Sequence, residues 1–236
     1  MRFYLQGIDE NKAELTGEAH THAAYAMRIR TGDFITVFDG RGTEYSCQIS
    51  AVKKDRTELK IIDKKTNVGE TQRDYTLYIS VIKQDRFEFA VQKATELGVG
   101  RIVPVYTTYT QRGGSLNIER LNRIVVAACE QCGRSKLPVV ENCIEFEELI
   151  ARTKNTHMIF PWERERRGTL HDAIDKTQKN ISVFIGPEGG ITEDEAARLT
   201  QAGAKPVTLG SRILRAETAA ITTLSVICFE LGEWDL

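Results

Sequence analysis

One stretch near the carboxyl end constrains this chain more than any other. Residues 183–221 read VFIGPEGGITEDEAARLTQAGAKPVTLGSRILRAETAAI. Two apolar segments, 181–185 and 206–209, have the look of buried strands. Each runs into a glycine-bearing loop, at 186–190 and 210–218, and each loop leads towards a helix. In an open α/β sheet, ligands collect in the crevice beyond the carboxyl ends of the strands. Two such loops in succession therefore predict one shared ligand site.

The rest of the chain falls into two patterns. Before about residue 70 the signals are of β structure: strands at 34–38, 44–52 and 58–62, with Asp39-Gly40 and residues 53–56 as turns. Short strands with close turns predict a small barrel. The polar segment 67–74 marks the expected boundary, dividing the chain into domains 1–72 and 73–236. From residue 75 strands alternate with helices: strands 75–82, 101–106 and 157–160, and helices 85–97, 118–132, 145–152 and 170–176. Phe87, Ala90, Val91, Ala94 and Leu97 share one helix face, and Gly98 stops that helix. Such alternation predicts an α/β domain with a mostly parallel sheet covered on both sides.

The two loops lack the usual phosphate chemistry. No GxxxxGK[ST] is present, and no GxGxxG follows the strand at 75–82. Gly98-Val-Gly100 follows a helix and precedes a strand, the wrong order for a dinucleotide fingerprint. The 186–190 loop carries an acid, Glu188, and no cation, which favours a ligand with a neutral or positive reacting end. Glycines let main chain approach such a ligand closely. Thr192-Glu-Asp-Glu195 forms a capping box that starts the following helix.

Charge and cysteine content narrow the setting. The net charge is −1, yet residues 83–136 hold 9 Lys/Arg against 5 Asp/Glu, so a polyanion would dock on that middle segment. Five cysteines, an odd number thinly spread, suit reduced thiols rather than a disulfide framework. Cys129 and Cys132 have metal-like spacing but no second ligand pair, so they are expected to be packed thiols, with no metal. No apolar run reaches 18 residues and no signal-type segment opens the sequence, so no membrane span and a cytoplasmic location are expected.

Several motifs together resemble one family. GPEGG (186–190), LGSRILRAETA (209–219), KATELG (93–98) and ACEQCGR (128–134) occur in the order found in the RsmE family. These are bacterial 16S ribosomal RNA (uridine-N3) methyltransferases of the SPOUT superfamily. RFYL at the start, His22, Met27-Arg28 and Thr31-Gly-Asp33 are similar to that family's PUA-like RNA-binding barrel, and Lys83-Gln-Asp-Arg86 to the opening of its catalytic domain. The resemblance covers nearly the whole chain.

It implies a SPOUT-type parallel sheet with a C-terminal trefoil knot, S-adenosylmethionine as cofactor, a homodimer, and 16S rRNA as substrate, within the small ribosomal subunit. By motif match Ile185, Gly186, Leu209, Gly210, Ser211, Ile213, Leu214 and Ala219 would line the cofactor. Uracil N3 bears a proton, and its loss places charge on the flanking carbonyl oxygens, where an arginine would stabilise it. Arg215 is the candidate for that role and Glu217 for the proton acceptor; the alternatives are an ion pair for Arg215, with Glu217 or Glu188, and a helix-dipole role for Glu217. Arg2, Arg28, Lys83, Arg86, Arg112 and Arg134 are the candidate RNA contacts. The final helix, 217–231, is apolar on more than one face and suits a subunit interface. A non-catalytic RNA-binding assembly factor is the rival reading, and it would need no intact cofactor loops.

Overall fold

The computed structural model describes residues 1–8, 13–111 and 116–235. Packing divides the chain into two compact units, Met1–Glu70 with Val126–Leu137, and Thr71–Val125 with Pro138–Leu236.

The first unit is built on a five-stranded sheet ordered β1-β3-β4-β5-β2. Its strands are β1 (Arg2–Tyr4), β2 (Ala13–Thr16), β3 (Phe34–Phe38), β4 (Thr43–Val52) and β5 (Arg56–Thr66). β1 joins β3 in parallel, and the other pairs are antiparallel. Alternation decides the fold of β4, whose Tyr45, Cys47 and Ile49 point inward onto Phe3, Leu15, Ile35 and Val37. Two register shifts in the β4–β5 ladder are bulges, which increase twist. The result is a curled half-barrel, the form the expected small barrel takes, with β1 and β2 each pairing with one neighbour among the described residues. A short helix α1 (Gly17–Thr21) and a π turn, His22–Ala26, follow β2.

The second unit carries a wholly parallel sheet in the order β12-β10-β11-β6-β7-β8, with β9 also on β7. Its strands are β6 (Asp74–Ser80), β7 (Arg101–Tyr106), β8 (Val139–Val140), β9 (Ile144–Glu145), β10 (His157–Pro161), β11 (Asn180–Ile185) and β12 (Lys205–Val207). The helices are α2 (Gln84–Glu96), α3 (Ile118–Cys132), α4 (Phe146–Thr153), α5 (Leu170–Ala173), α6 (Glu193–Gln201) and α7 (Ala216–Glu230). Strands buried on both faces read as near-continuous apolar runs, as β11 shows from Ile181 to Ile185 with only Ser182 polar. One core gathers Tyr78, Val103, Leu149, Met158, Phe160, Phe184 and Leu199 between sheet and helices.

Two expected elements are shorter than anticipated. The helix expected over 170–176 ends at Ala173, since Ile174 turns extended and Asp175 draws in the amide and hydroxyl of Thr177 and the Gln178 amide group. Those bonds, the Thr177 hydroxyl first, hold the exposed Asp175 carboxyl at about 2. The strand expected over 206–209 ends at Val207, because Thr208 N–H leaves the ladder for Gly168 O at 2.8 Å.

The 126–137 segment, expected to lie with the second domain, packs in the first unit around a buried ion pair. Arg134 Nη2 lies 2.9 Å from Glu70 Oε2, with the two side chains 4% and 7% exposed. Glu70 Oε1 accepts Ser135 N–H at 2.9 Å and Lys136 N–H at 2.8 Å, so both carboxylate oxygens are used. Removing one partner of a buried, fully bonded pair strands the other charge without solvent. Glu70→Ala is therefore expected to lower the unfolding free energy by about 3–5 kcal/mol in urea denaturation, and a loss below about 1 kcal/mol would contradict this role.

Candidate active site

Parallel pairing sets the location. β12, β10 and β11 are hydrogen-bonded neighbours running in one direction, so the segments leaving them emerge at a single edge. The exit from β10 is stitched to β12 on both sides, by Trp162 N–H to Val207 O at 3.0 Å and Thr208 N–H to Gly168 O at 2.8 Å. The GPEGG loop leaves β11 beside them, and Trp162 Nε1 donates to Ile191 O across that loop at 3.3 Å.

Two glycines of this loop are fixed by close approach. A Cβ on Gly186 would stand 2.6 Å from Ile191 Cγ1, and Ile191 is buried. A Cβ on Gly189 would stand 2.9 Å from Tyr109 Cβ, in the segment following β7. The loop exit is held by the expected capping box: Thr192 Oγ1 accepts Glu195 N–H, and Glu195 Oε2 accepts Thr192 N–H at 2.9 Å. The other oxygen, Glu195 Oε1, accepts the amide and hydroxyl of Thr108 at 2.8 and 3.0 Å. One buried carboxylate thus fastens the GPEGG loop to the segment after β7.

The second loop, 209–214, is open main chain. Gly210 is left-handed at φ 94, and its N–H bonds Thr208 Oγ1 at 3.2 Å. Among the described residues, the amides of Ser211, Arg212, Ile213 and Leu214 donate to no protein acceptor. Ile213 is 87% exposed, an isoleucine with no apolar neighbour covering it. Leu209 and Leu214 are half-buried, Ser211 is exposed, and Ile185 and Ala219 are buried. The eight residues expected at a cofactor therefore sit at the end of β11, in the open loop after β12, and in the second turn of α7.

Arg215 is the N-cap position of α7 and is exposed. Neither acid proposed as its ion-pair partner holds it: Glu188 instead bonds Arg86 at 3.3 Å, and among the described residues Arg215 has no carboxylate partner. Glu217, in the first turn of α7, keeps Oε2 buried with no hydrogen-bond partner among the described residues.

The basic residues expected to contact RNA separate into two groups. Arg2 bonds Glu44 and the carbonyl of Arg134 at 2.7 Å, and stacks 4.6 Å over Phe38. Arg134 is buried against Glu70. Both side chains are engaged inside the protein, Arg2 through Nη1 and Nη2 and Arg134 through Glu70, while Arg2 Nε is buried without a hydrogen-bond partner among the described residues. Arg28 and Lys83 are exposed, and Arg86 is half-buried on Glu188. Arg112 lies outside the described residues.

A cavity of about 710 Å³ opens at the opposite, amino-terminal edge of the sheet, lined by Tyr78, Arg101, Glu141, Arg152 and Ser182 among others. Its two arginines are both engaged by Glu141, so it offers no free cation among the described residues, and the loop edge is the better site. Among the described residues no cluster of three metal-ligating side chains is present, and no helix is long and apolar enough to cross a membrane.

A family model described as an RNA methyltransferase domain matches residues 69–228, and one described as an RNA methyltransferase PUA domain matches residues 15–62. The chain belongs to this RNA methyltransferase family. A ribosomal RNA small subunit methyltransferase E from Rickettsia conorii is 32% identical over 232 residues, covering 96% of this chain and 94% of the relative. The crystal structure of a ribosomal RNA small subunit methyltransferase E from Neisseria gonorrhoeae bound to S-adenosyl methionine superposes with a TM-score of 0.87 at 32% identity, covering 97% of this chain and 96% of the other. A putative methyltransferase from Legionella pneumophila in complex with the bound cofactor SAM gives a TM-score of 0.86 at 30% identity, with the same coverage of each chain. The similarity to the RsmE family read from the motifs holds along the whole length.

Cys129 plays no visible part at this edge. Burial pushes its thiol up to about 12 and Cys228 likewise to about 12, while Cys47 rises to about 11. A raised pKa keeps these thiols neutral at ordinary pH, and the thiolate is the reactive form. At pH 8 native protein is expected to leave these three unlabelled by a thiol-disulfide reagent and to expose all of them on unfolding; rapid native labelling of Cys129 would count against burial.

Proposed function

We propose that this chain transfers a methyl group from S-adenosylmethionine to N3 of a uridine in small-subunit (16S) ribosomal RNA. The observation that carries the reading is the edge where the exits of β10, β11 and β12 converge, in a chain similar end to end to proteins solved with that cofactor. The first unit is read as the RNA-binding, PUA-like module, and the path around β10–β12 as the trefoil knot.

The residues present fit the cofactor. Four unbonded amides from Ser211 to Leu214 can meet its polar edges, and the uncovered Ile213 with half-buried Leu209 and Leu214 can flank its purine. Gly186 and Ile185 would form the facing wall, with Ala219 beneath. The loop carries no lysine, which accords with a ligand that is a cation at its reacting end. Bound S-adenosylmethionine supplies an activated methyl group on a sulfonium.

What this chain adds is position and charge. Arg215, exposed at the helix start and without a carboxylate partner among the described residues, can face the two uracil carbonyl oxygens that gain charge as N3 loses its proton. Glu217 Oε2, unpartnered among the described residues, can hold that proton. Arg28, Lys83 and Arg86 remain candidate phosphate contacts. A second copy of the chain would cover α7, whose Phe229 is 68% exposed beside Trp234 at 52%, making a homodimer. A partner bearing phosphates within the ribosomal subunit suits the exposed cations.

Arg215→Ala is expected to reduce methyl transfer at least a hundredfold, about the loss of one oxyanion donor, while cofactor affinity by calorimetry stays within about twofold. The assay uses labelled cofactor and small subunits from cells lacking the protein. Unchanged turnover would remove Arg215 from the mechanism.

A further inference from the structure

The strand order β12-β10-β11 places the segment leaving β10 between the two glycine-bearing loops, 186–190 and 209–214. Trp162 ties that segment to both sides. Its N–H reaches Val207 O at 3.0 Å, and its Nε1 reaches Ile191 O at 3.3 Å. Thr208 N–H closes the other end on Gly168 O at 2.8 Å. Between these ties, Glu165 Oε1 gathers the amides of Arg166, Arg167 and Gly168 at 2.8, 2.7 and 3.0 Å. The 162–168 loop is thus held at both ends and in the middle, yet none of the residues already placed at the cofactor comes from it.

The first acid of this loop lies against GPEGG. Gly190 is left-handed at φ 80, and a Cβ there would stand 2.6 Å from Glu163 Oε1 and 3.4 Å from Oε2. The missing side chain at 190 is therefore the room that the carboxylate occupies. Glu163 is exposed, and among the described residues its carboxylate bonds no cation, hydroxyl or amide. The three arginines that follow it are turned elsewhere. Arg164 pairs with Glu193, and Arg166 donates to the main-chain oxygens of Glu163 and Glu165 at 2.6 and 3.2 Å. Arg167 lies within electrostatic reach of Glu165.

The other acids of the β10 and β11 exits are spent. Glu165 holds main-chain amides, Glu188 pairs with Arg86, Glu193 with Arg164, and Asp194 lies 4.0 Å from Arg198. Glu195 is bonded at both oxygens. In the sequence, Glu188 favours a ligand with a neutral or positive end, because its loop holds an acid and no cation. In the fold Arg86 answers that charge, and Glu163 is the carboxylate left over beside the loop. An acid with arginines on every side in sequence and none upon it is complementary to a cation supplied from outside.

S-adenosylmethionine brings two positive centres, its sulfonium and the α-ammonium of its amino-acid end. Only the ammonium carries N–H donors, and a carboxylate gains most from a cation that also donates hydrogen bonds. With the purine against Leu209, Ile213 and Leu214, the amino-acid end is left to the neighbouring exit in the sheet, that of β10. We infer that the Glu163 carboxylate receives the α-ammonium of S-adenosylmethionine and so fixes the cofactor's direction between the two loops. The inference rests on S-adenosylmethionine as the cofactor of this edge, and adds which end is read by charge.

Calorimetry on the full-length protein with three ligands separates the charges. S-adenosylmethionine has both, S-adenosylhomocysteine keeps the ammonium beside a neutral thioether, and 5′-methylthioadenosine has neither. Glu163→Gln keeps the shape of the side chain and removes its charge. It should weaken S-adenosylmethionine and S-adenosylhomocysteine alike, by about tenfold, and leave 5′-methylthioadenosine within about twofold. Wild-type affinity for S-adenosylmethionine in the variant overturns the assignment. So does a loss confined to S-adenosylmethionine, which puts the acid at the sulfonium, and so does an equal loss on all three, which marks a damaged loop. A wild type that binds none of the three sinks the cofactor reading itself, whatever the variant does.

Discussion

The parallel pairing of β12, β10, β11, β6 and β7 is the constraint from which the rest of the second unit follows. Parallel ladders cannot be closed by hairpins, so every connection must cross the sheet and return to the same end. Every strand therefore releases its chain at one edge, and the segments following β7, β10, β11 and β12 have no choice but to meet there. Their hydrogen bonds to one another, Trp162 to Val207, Thr208 to Gly168 and Thr108 to Glu195, turn that meeting into a fixed framework. The open amides after Gly210 are conspicuous because the main chain around them is so well satisfied.

Charge is distributed with the same economy. In the first unit the buried Arg134 is matched by a carboxylate whose two oxygens are both used, which is the condition under which a buried charge is tolerable. At the loop edge Arg215 has no such match among the described residues, and Glu188, a candidate partner in the sequence, belongs to Arg86. Glu165 shows how a neighbouring acid is neutralised by main chain instead: the amides of Gly168, Arg167 and Arg166 hold its carboxyl below the usual range. Of the acids near the site, Glu188 and Glu165 are thus occupied, while Glu217 Oε2 has no hydrogen-bond partner among the described residues.

Much of this was legible in the sequence, and the exceptions have physical causes. β3, β7 and α3 lie on the expected residues because their apolar periodicity is uninterrupted. The capping box at Thr192 was legible because its partners are three residues apart. β1 and β2 were missed because strands of three and four residues carry too little periodicity to register. The early ends of α5 and β12 depended on Asp175 and on Thr208 bonding to Gly168, one a local competitor and the other a distant acceptor. The burial of Arg2 and Arg134 was invisible for the same reason: an arginine's partner 42 or 64 residues away leaves no mark in its own neighbourhood.

The bonds of Glu195 decide which side chains its position will accept. Each of its carboxylate oxygens receives two donors, an amide and a hydroxyl on either side. Glutamine is an ordinary substitute in a capping box and has nearly the same shape. Here its NH2 would face donors whichever way the amide turned, leaving an N–H pressed against an N–H on one of the two sides. The position therefore distinguishes an oxygen from a nitrogen rather than one size from another. The position is closed even to its isostere, and one carboxylate fixes the geometry of both segments at once.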